Sequence, residues 1–426
     1  MSSHPRRHVE GWATYELGDL VVRVTSRNSV QSQNVLTISA TQGLVSQSGY
    51  FNRRIASADL RPYYLLQRGD FAYNKSYSEG YPVGVVRRLD DSDQGVLSPL
   101  YIAFRPVEHK LESQFAMHYF RAGLLDDHLR WVAKEGARNH GLLNVGLVDF
   151  YASPVTLPDL PEQRRIATIL DALDSEIVFT ERMISKLDRV GEGLFDRLLS
   201  RGVDQTGRLR DAASTPMKNG PGGKIPEAWQ LVPLSQIASV DRGRFSHRPR
   251  NDPRYLGGRH LFIQTGDVSA ARGRVIAGAS QTLSHLGAAV SRKYPAGTIA
   301  VTIAANIADT AILGEAMCFP DSVVGVVVAS PNNTNYVEMV IRNSRHRLEA
   351  RAPQSAQRNI NLQDLRPLII PLPDPEEQAR IVAIYSAHVE SVDHEKQSLA
   401  KLVALRGALA ADLLRGHVRV ADEVMV

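Results

Sequence analysis

The sequence predicts an α+β chain: two mixed α/β domains joined by two long antiparallel coiled-coil helices, built as a pseudo-twofold internal repeat. Three observations predict it. A ten-residue segment recurs at a constant offset, a 4–3 spacing of apolar residues follows its first copy, and two inserts of nearly equal length share little sequence. A chain of 426 residues is in any case too long for one ordinary domain.

The repeat comes first because it organises the rest. Leu157-Pro-Asp-Leu-Pro-Glu-Gln-Arg-Arg-Ile166 returns as Leu372-Pro-Asp-Pro-Glu-Glu-Gln-Ala-Arg-Ile381, displaced by 215 positions with seven of ten residues identical. The same offset carries Asn144, Leu147 and Asp149 onto Asn359, Leu362 and Asp364. At the start of each half, Glu10-Gly-Trp12 with Leu17 and Leu20 is answered by Glu227-Ala-Trp229 with Leu234 and Ile237, an offset of 217. Several matches in one register are not chance.

Both copies of the segment read as helix starts. Asp159 and Asp374 are N-caps, each followed three positions later by a glutamate, Glu162 or Glu377, at capping-box spacing. Pro161 and Pro375 fall in the first turn, where a missing N–H costs little. In the first copy Ile166, Leu170, Leu173, Ile177, Thr180, Ile184, Leu187, Gly191, Leu194 and Leu198 keep an unbroken 4–3 spacing, the seam of a coiled coil. The second copy keeps Ile381, Val392, Leu399, Leu402, Leu409 and Leu413 but sets Tyr385, His388, Glu395 and Arg406 at the matching places. That weaker seam predicts that the two helices pack on each other. About 38 residues would make a rod of roughly 57 Å, and Gly202 and Gly416 are the expected stops.

The expected boundaries are a first domain over 1–155, a central helical spacer over 156–202 and an irregular Gly/Pro-rich connector over 203–227. A second domain over 228–371 and a C-terminal helical spacer with tail over 372–426 complete the chain. Within the first insert, VLTISATQGLV and the run around Gly69–Tyr73 alternate as strands; within the second, Leu261–Thr265, Thr298–Ile303 and Val323–Val328 do so, the last buried.

Basic and amide residues cluster in loops. Residues 242–259 hold Arg242, Arg244, Arg248, Arg250, Arg254 and Arg259 against Asp252, and residues 342–358 hold Arg342, Arg345, Arg347, Arg351 and Arg358 against Glu349. Gln354 and Ser355 sit in the second cluster, and the first insert offers Arg53, Arg54, Asn74, Lys75, Tyr77, Arg138, Asn139 and His140. Arginine pairs bidentately with phosphate and guanine, asparagine and glutamine with adenine, so these loops are candidates for DNA contact. A solvated basic face is the plain alternative. The net charge of +5 and a pI near 9.2 are compatible with both.

Exclusions narrow the field. Cys318 is the sole cysteine, which removes disulfides, zinc ribbons and thiol redox pairs. No stretch approaches the roughly 20 apolar residues of a membrane span, and MSSHPRRHVEGW lacks a signal-peptide core, so a cytoplasmic location and no membrane partner are expected. No phosphate-binding loop, HExxH motif or amino-methyltransferase tetrapeptide occurs. Asp90, Asp91 or Asp93 with Glu108-His109-Lys110 faintly imitates a nuclease pattern but reads as surface turns. Neither catalytic residues nor a metal site are expected.

The paired helix starts, the Trp-containing segments and the stretches Gly69-Asp-Phe-Ala-Tyr-Asn-Lys75 and Thr265-Gly-Asp267 resemble type I restriction–modification specificity subunits, over nearly the whole chain. The resemblance implies two target recognition domains, each reading one half of a split, asymmetric site in double-stranded DNA, with the helices setting the unread gap. It implies two methyltransferase subunits docked on the helices and carrying S-adenosylmethionine, restriction subunits with a motor-nuclease that uses ATP and Mg, and no cofactor in this chain. It further implies a prokaryotic defence role against foreign DNA and association with the nucleoid when bound. Two other classes stay open on residues alone: a fused or degenerate nuclease, and a coiled-coil adaptor that never touches DNA.

Overall fold

The computed structural model describes residues 9–39, 42–50, 57, 59–76, 80–135, 143–247, 249, 251–304, 306–351 and 359–420. The chain divides into two compact units, Met1–Arg182 with Gln397–Val426, and Met183–Lys396. This division differs from one by element type, because each domain closes its core on the helix segments attached to it. Four helices recur below: α1 (Ser113–Arg121), α2 (Leu160–Arg201, 42 residues), α3 (Thr334–Asn343) and α4 (Pro375–Leu413, 39 residues).

In the first unit a four-stranded antiparallel sheet runs in the order Val21–Arg23, Ile102–Pro106, Phe71–Asn74, Val85–Arg88. Helix α1 covers it because Phe115, Ala116, Tyr119 and Phe120 recur at one-turn spacing and are all buried. Phe71 stacks on Phe104 at 5.7 Å and meets Phe120 edge-on at 5.4 Å. The same core takes in Ile166 and Leu170 from the start of α2, and Ala410 and Leu413 from the end of α4. Here the two long helices run antiparallel, since the start of one lies against the end of the other. The run VLTISATQGLV forms a hairpin, Leu36–Ser39 with Gly43–Ser46.

The second unit repeats the device with a different insert. Its five-stranded sheet has the order Ala238–Arg242, Val323–Val328, Ile299–Thr302, Thr310–Leu313, Val275–Ile276. Val323–Gly325 and Val326 are buried because their strand has a neighbour on each side and helices over it. A second sheet runs Gln281–Leu283, Leu256–Phe262, Met317–Cys318, Lys293–Tyr294. The core takes in Leu198 and Leu199 from the end of α2, Val203 just beyond it, and Ile381 from the start of α4.

The Trp segments are equivalent in detail. Ala13–Glu16 pairs antiparallel with Pro154–Leu157, and Gln230–Pro233 pairs antiparallel with Ile369–Leu372. Each pair brings the beginning of a half back to the strand that enters the long helix. Trp12 and Trp229 are both buried there.

Two expectations about local structure are corrected. The strand expected over Leu261–Thr265 ends at Phe262, because Gln264 and Asp267 form a reciprocal capping box that starts the helix Thr265–Ala271. The expected irregular connector contains a hairpin, Met217–Gly220 with Gly223–Pro226, whose turn uses Gly223 at φ 132°. Gly202 and Gly416, both in the left-handed region, follow the ends of α2 and α4.

Candidate nucleic-acid interface and the helix starts that support it

Each long helix begins on the same three residues. Asp159 Oδ1 accepts the Glu162 N–H at 3.0 Å and Asp374 Oδ1 accepts the Glu377 N–H at 2.8 Å, satisfying orphan donors of the first turn. The glutamates do not close the expected capping box. Glu162, 2% exposed, instead accepts Arg419 Nε at 2.8 Å, Arg419 Nη2 at 2.7 Å and the Val420 N–H at 3.3 Å. Glu377, also 2% exposed, accepts Arg210 Nη2 at 2.9 Å, the Val203 N–H at 3.0 Å and the Trp229 indole N–H at 3.2 Å. A buried carboxylate must be paired, and a helix N-terminus alone supplies too little. In each unit the partner comes from the chain that follows the other long helix.

The helix faces turned toward each other carry both apolar and polar residues. Ile166, Leu170, Leu198 and Ile381 are fully buried, and Ile184, Val392 and Leu413 nearly so. Leu173, Ile177, Leu187, Leu194, Leu399, Leu402 and Leu409 are half-buried. In the first unit Arg406 reaches Asp174 Oδ1 at 2.8 Å and donates to His118 Nδ1 at 3.1 Å, while His118 Nε2 lies 2.9 Å from Asp171 Oδ1. Arginine is always a donor, so Nδ1 must accept and the Nε2–H donates to Asp171. Burial holds this imidazole below its ordinary value, against the opposing pull of Asp171. In the second unit Arg342 of α3 pairs with Glu338 at 2.9 Å and lies over the rings of Phe195 and Tyr385 at 4.6 and 5.6 Å. Arg406 and Tyr385 of the second seam are thus contact groups rather than defects.

The described basic residues sort into two kinds. Arg342 is committed as above, Arg345 pairs with Asp309 and Glu349 at 2.8 Å each, and Arg347 donates to Ser344 Oγ. Arg254 pairs with Asp252 at 2.7 Å and holds that carboxyl well below the usual range. These build the domain. Arg242, Arg244, Arg259, Lys293 and Arg351 are exposed. The Arg244 carbonyl accepts from Ser291 Oγ at 2.7 Å and from the Arg292 N–H at 3.2 Å, which brings the Arg292–Lys293 segment alongside. His260 Nε2 lies 3.4 Å from His285 Nδ1, and partial desolvation, then the charges of His285, Lys293 and Arg259, push His260 down. This basic lobe can neutralise phosphates.

In the first unit Asn74 ends its strand, half-buried, and its side-chain oxygen accepts the Ser76 N–H at 3.0 Å. The Lys75 carbonyl accepts the Leu143 N–H at 2.9 Å, so two chain segments meet at this edge. Arg53, Arg54, Tyr77, Arg138, Asn139, His140, Arg248, Arg250, Gln354, Ser355 and Arg358 lie outside the described residues. The nuclease-like aspartates are engaged on the surface: Asp90 with Arg88 at 2.7 Å and Asp93 with Arg68 at 3.0 Å. Among the described residues no group of His, Cys, Asp or Glu is placed to hold a metal, and no helix is long and apolar enough to cross a membrane.

Sequence reasoning missed the partners of the two glutamates, the His118 cluster and the lobe around His260 and Lys293. The doubled Glu-Gln pair was the available signal, since residues repeated in one register between unrelated inserts must serve the shared scaffold.

Comparison with known proteins agrees with this geometry. Residues 226–404 match the type I restriction modification DNA specificity domain. A chain of Methanocaldococcus jannaschii named as the type I restriction enzyme MjaX specificity subunit is 22% identical over 423 residues, spanning 96% of this chain and 94% of that one. In fold, the chain is similar to the HsdS subunit from Thermoanaerobacter tengcongensis, with a TM-score of 0.57 at 19% identity, covering 98% of this chain and all of that one. The type I restriction-modification S subunit from M. genitalium gives a TM-score of 0.53 at 12% identity, covering 96% and 98%. The chain is thus similar to type I restriction–modification specificity subunits, by a specificity domain matched over residues 226–404 and by a likeness in sequence and fold that runs from end to end.

Proposed function

We propose that this chain is the non-catalytic, DNA sequence-recognition subunit of a type I restriction–modification enzyme, with each unit reading one half of a bipartite, asymmetric site. The observation that carries the reading is the contrast between identical helix starts and unlike inserts. The Asp cap and the buried Glu recur at both helix starts, whereas one unit holds a four-stranded sheet and the other a five-stranded sheet with a second sheet beside it. Two readers of different shape on one scaffold are what an asymmetric split site requires. Positive residues such as Arg242, Arg244 and Arg351 supply phosphate contacts, and Asn74 and Lys75 stand at the corresponding edge of the first domain.

The long helices set the gap and dock two methyltransferase subunits, which bring S-adenosylmethionine; restriction subunits bring ATP and Mg. The complex works in the cytoplasm, on the nucleoid, as a defence against foreign DNA. Domain limits in this reading are 1–155 and 228–371 for the two readers, with spacers over 156–202 and 372–426.

The test is an exchange. Residues 20–150 are replaced by the insert of a relative, the chain is co-expressed with its methyltransferase, and genome methylation is read at single-molecule level. One half of the methylated site changes and the other stays. A change in both halves, or in neither, sinks the two-reader model. Absence of salt-sensitive DNA binding by the assembled complex favours an adaptor instead.

A further inference from the structure

We infer that Gln163 and Gln378 are positioning residues: each fixes the angle at which a recognition domain leaves its long helix, and so restricts which gap lengths the chain accepts. This rests on the two-reader function above and adds to it the groups that set its geometry.

The two side chains are 1% and 0% exposed, yet fully bonded. Gln163 Oε1 accepts the N–H of Glu112 at 2.8 Å, and Gln378 Oε1 accepts the N–H of Asn333 at 2.8 Å. Glu112 and Asn333 are the N-caps of α1 and α3, one helix in each domain. On the other side, Gln163 Nε2 donates to the Pro158 carbonyl at 2.9 Å and Gln378 Nε2 to the Pro373 carbonyl at 2.9 Å. A second acceptor completes each amide, the Lys110 carbonyl at 3.3 Å and Asn332 Oδ1 at 3.5 Å. One planar group thus holds three things: the first turn of the long helix, the residue before its cap, and the cap of the domain helix.

Only an amide does this. It carries an acceptor and two donors in one plane, and a carboxylate or an alkyl chain lacks the donors. The bonds repeat to within 0.2 Å at two places whose surrounding inserts are unrelated. Repetition against unlike packing marks a geometric requirement of the scaffold. A tilt of about 10° acting over roughly 20 Å displaces a contact by about 3 Å, close to the 3.4 Å rise of one base pair.

The experiment uses the chain assembled with its methyltransferase. Duplexes are first selected from a random-sequence library by the wild-type complex. Affinity is then measured for the selected site and for versions with the gap one base pair longer or shorter, for wild type, Gln163→Ala, Gln378→Ala and the isosteric Gln163→Glu and Gln378→Glu. Wild type should lose about tenfold or more on a one-base-pair change, by analogy with the cost of a single mismatch. The variants should keep the same half-site bases while that gap discrimination falls below about threefold. Variants that bind every gap more weakly but with discrimination intact overturn the inference and leave the two-reader function standing. A wild-type complex that selects no split site overturns both.

Discussion

His388 occupies the space that a side chain at Gly191 would need: a Cβ on Gly191 would lie 2.5 Å from His388 Nε2 and 3.0 Å from its Cδ2. The missing apolar knob on one helix is thus answered by a missing side chain on the other.

That pairing predicts a coupled pair of mutations. Gly191→Ala gains about 1 kcal/mol of helix propensity and should come close to neutral. Gly191→Leu overpacks the site and should cost about 1–3 kcal/mol in urea unfolding. Adding His388→Ala should recover at least half of that loss. Additive effects of the two changes would show that the contact does not limit packing.

Removing the buried carboxylates should hurt unequally. Glu377→Ala leaves Arg210, the Val203 N–H and the Trp229 indole unpaired, and about 3 kcal/mol of destabilisation is expected. Glu162→Ala should cost less, because Arg419 has 47% of its side chain exposed and can turn to water, against 25% for Arg210. Trp229→Phe should likewise cost more than Trp12→Phe, since the Trp12 indole N–H is buried without a hydrogen-bond partner. Melting temperatures of the four variants check the order.

The first unit should lose stability in mild acid. Burial holds the folded His118 below its ordinary value of 6.5, so the unfolded chain binds the proton first. The neutral imidazole's contribution is complete above about pH 6.5 and declines as pH falls below it toward the folded value. His118→Gln keeps an acceptor and a donor and should flatten that part of the stability–pH curve. An unchanged slope in the variant would assign the dependence to other groups.

Basic residues should separate by assay. Arg244→Ala, Arg259→Ala and Lys293→Ala should each lower DNA affinity and reduce the salt slope by about one, with little change in melting temperature. Arg345→Ala, which breaks pairs to Asp309 and Glu349, should lower melting temperature first. The reverse pattern would move the phosphate contacts off the lobe around His260.

Much of the scaffold was legible from the chain alone. On α2, Thr180 of the 4–3 spacing is buried although polar, and Ile166, Leu170, Ile184 and Leu198 of the same spacing are buried too. Asp159 and Asp374 were readable as caps because a cap is a local event, settled within three residues. Glu162 and Glu377 were misread for the same reason: their spacing is that of a capping box, but their partners lie 257 and 167 residues away in sequence. Local rules do not reach so far.

Arginine-rich stretches were the least legible. Residues 342–358 read as one basic loop, yet Arg342 stacks on Phe195 and Tyr385 and Arg345 closes two ion pairs, while Arg351 is exposed. Composition gives charge; only three-dimensional neighbours decide whether a charge is already neutralised. The sequence by itself determined the duplication, the helix starts and stops and the apolar seam, because these depend on periodicity and on groups a few residues apart. Tertiary structure alone decided where Glu162, Glu377, His118 and Arg406 find their partners, because burying a polar group requires a partner that chain folding, not chain order, brings within 3 Å.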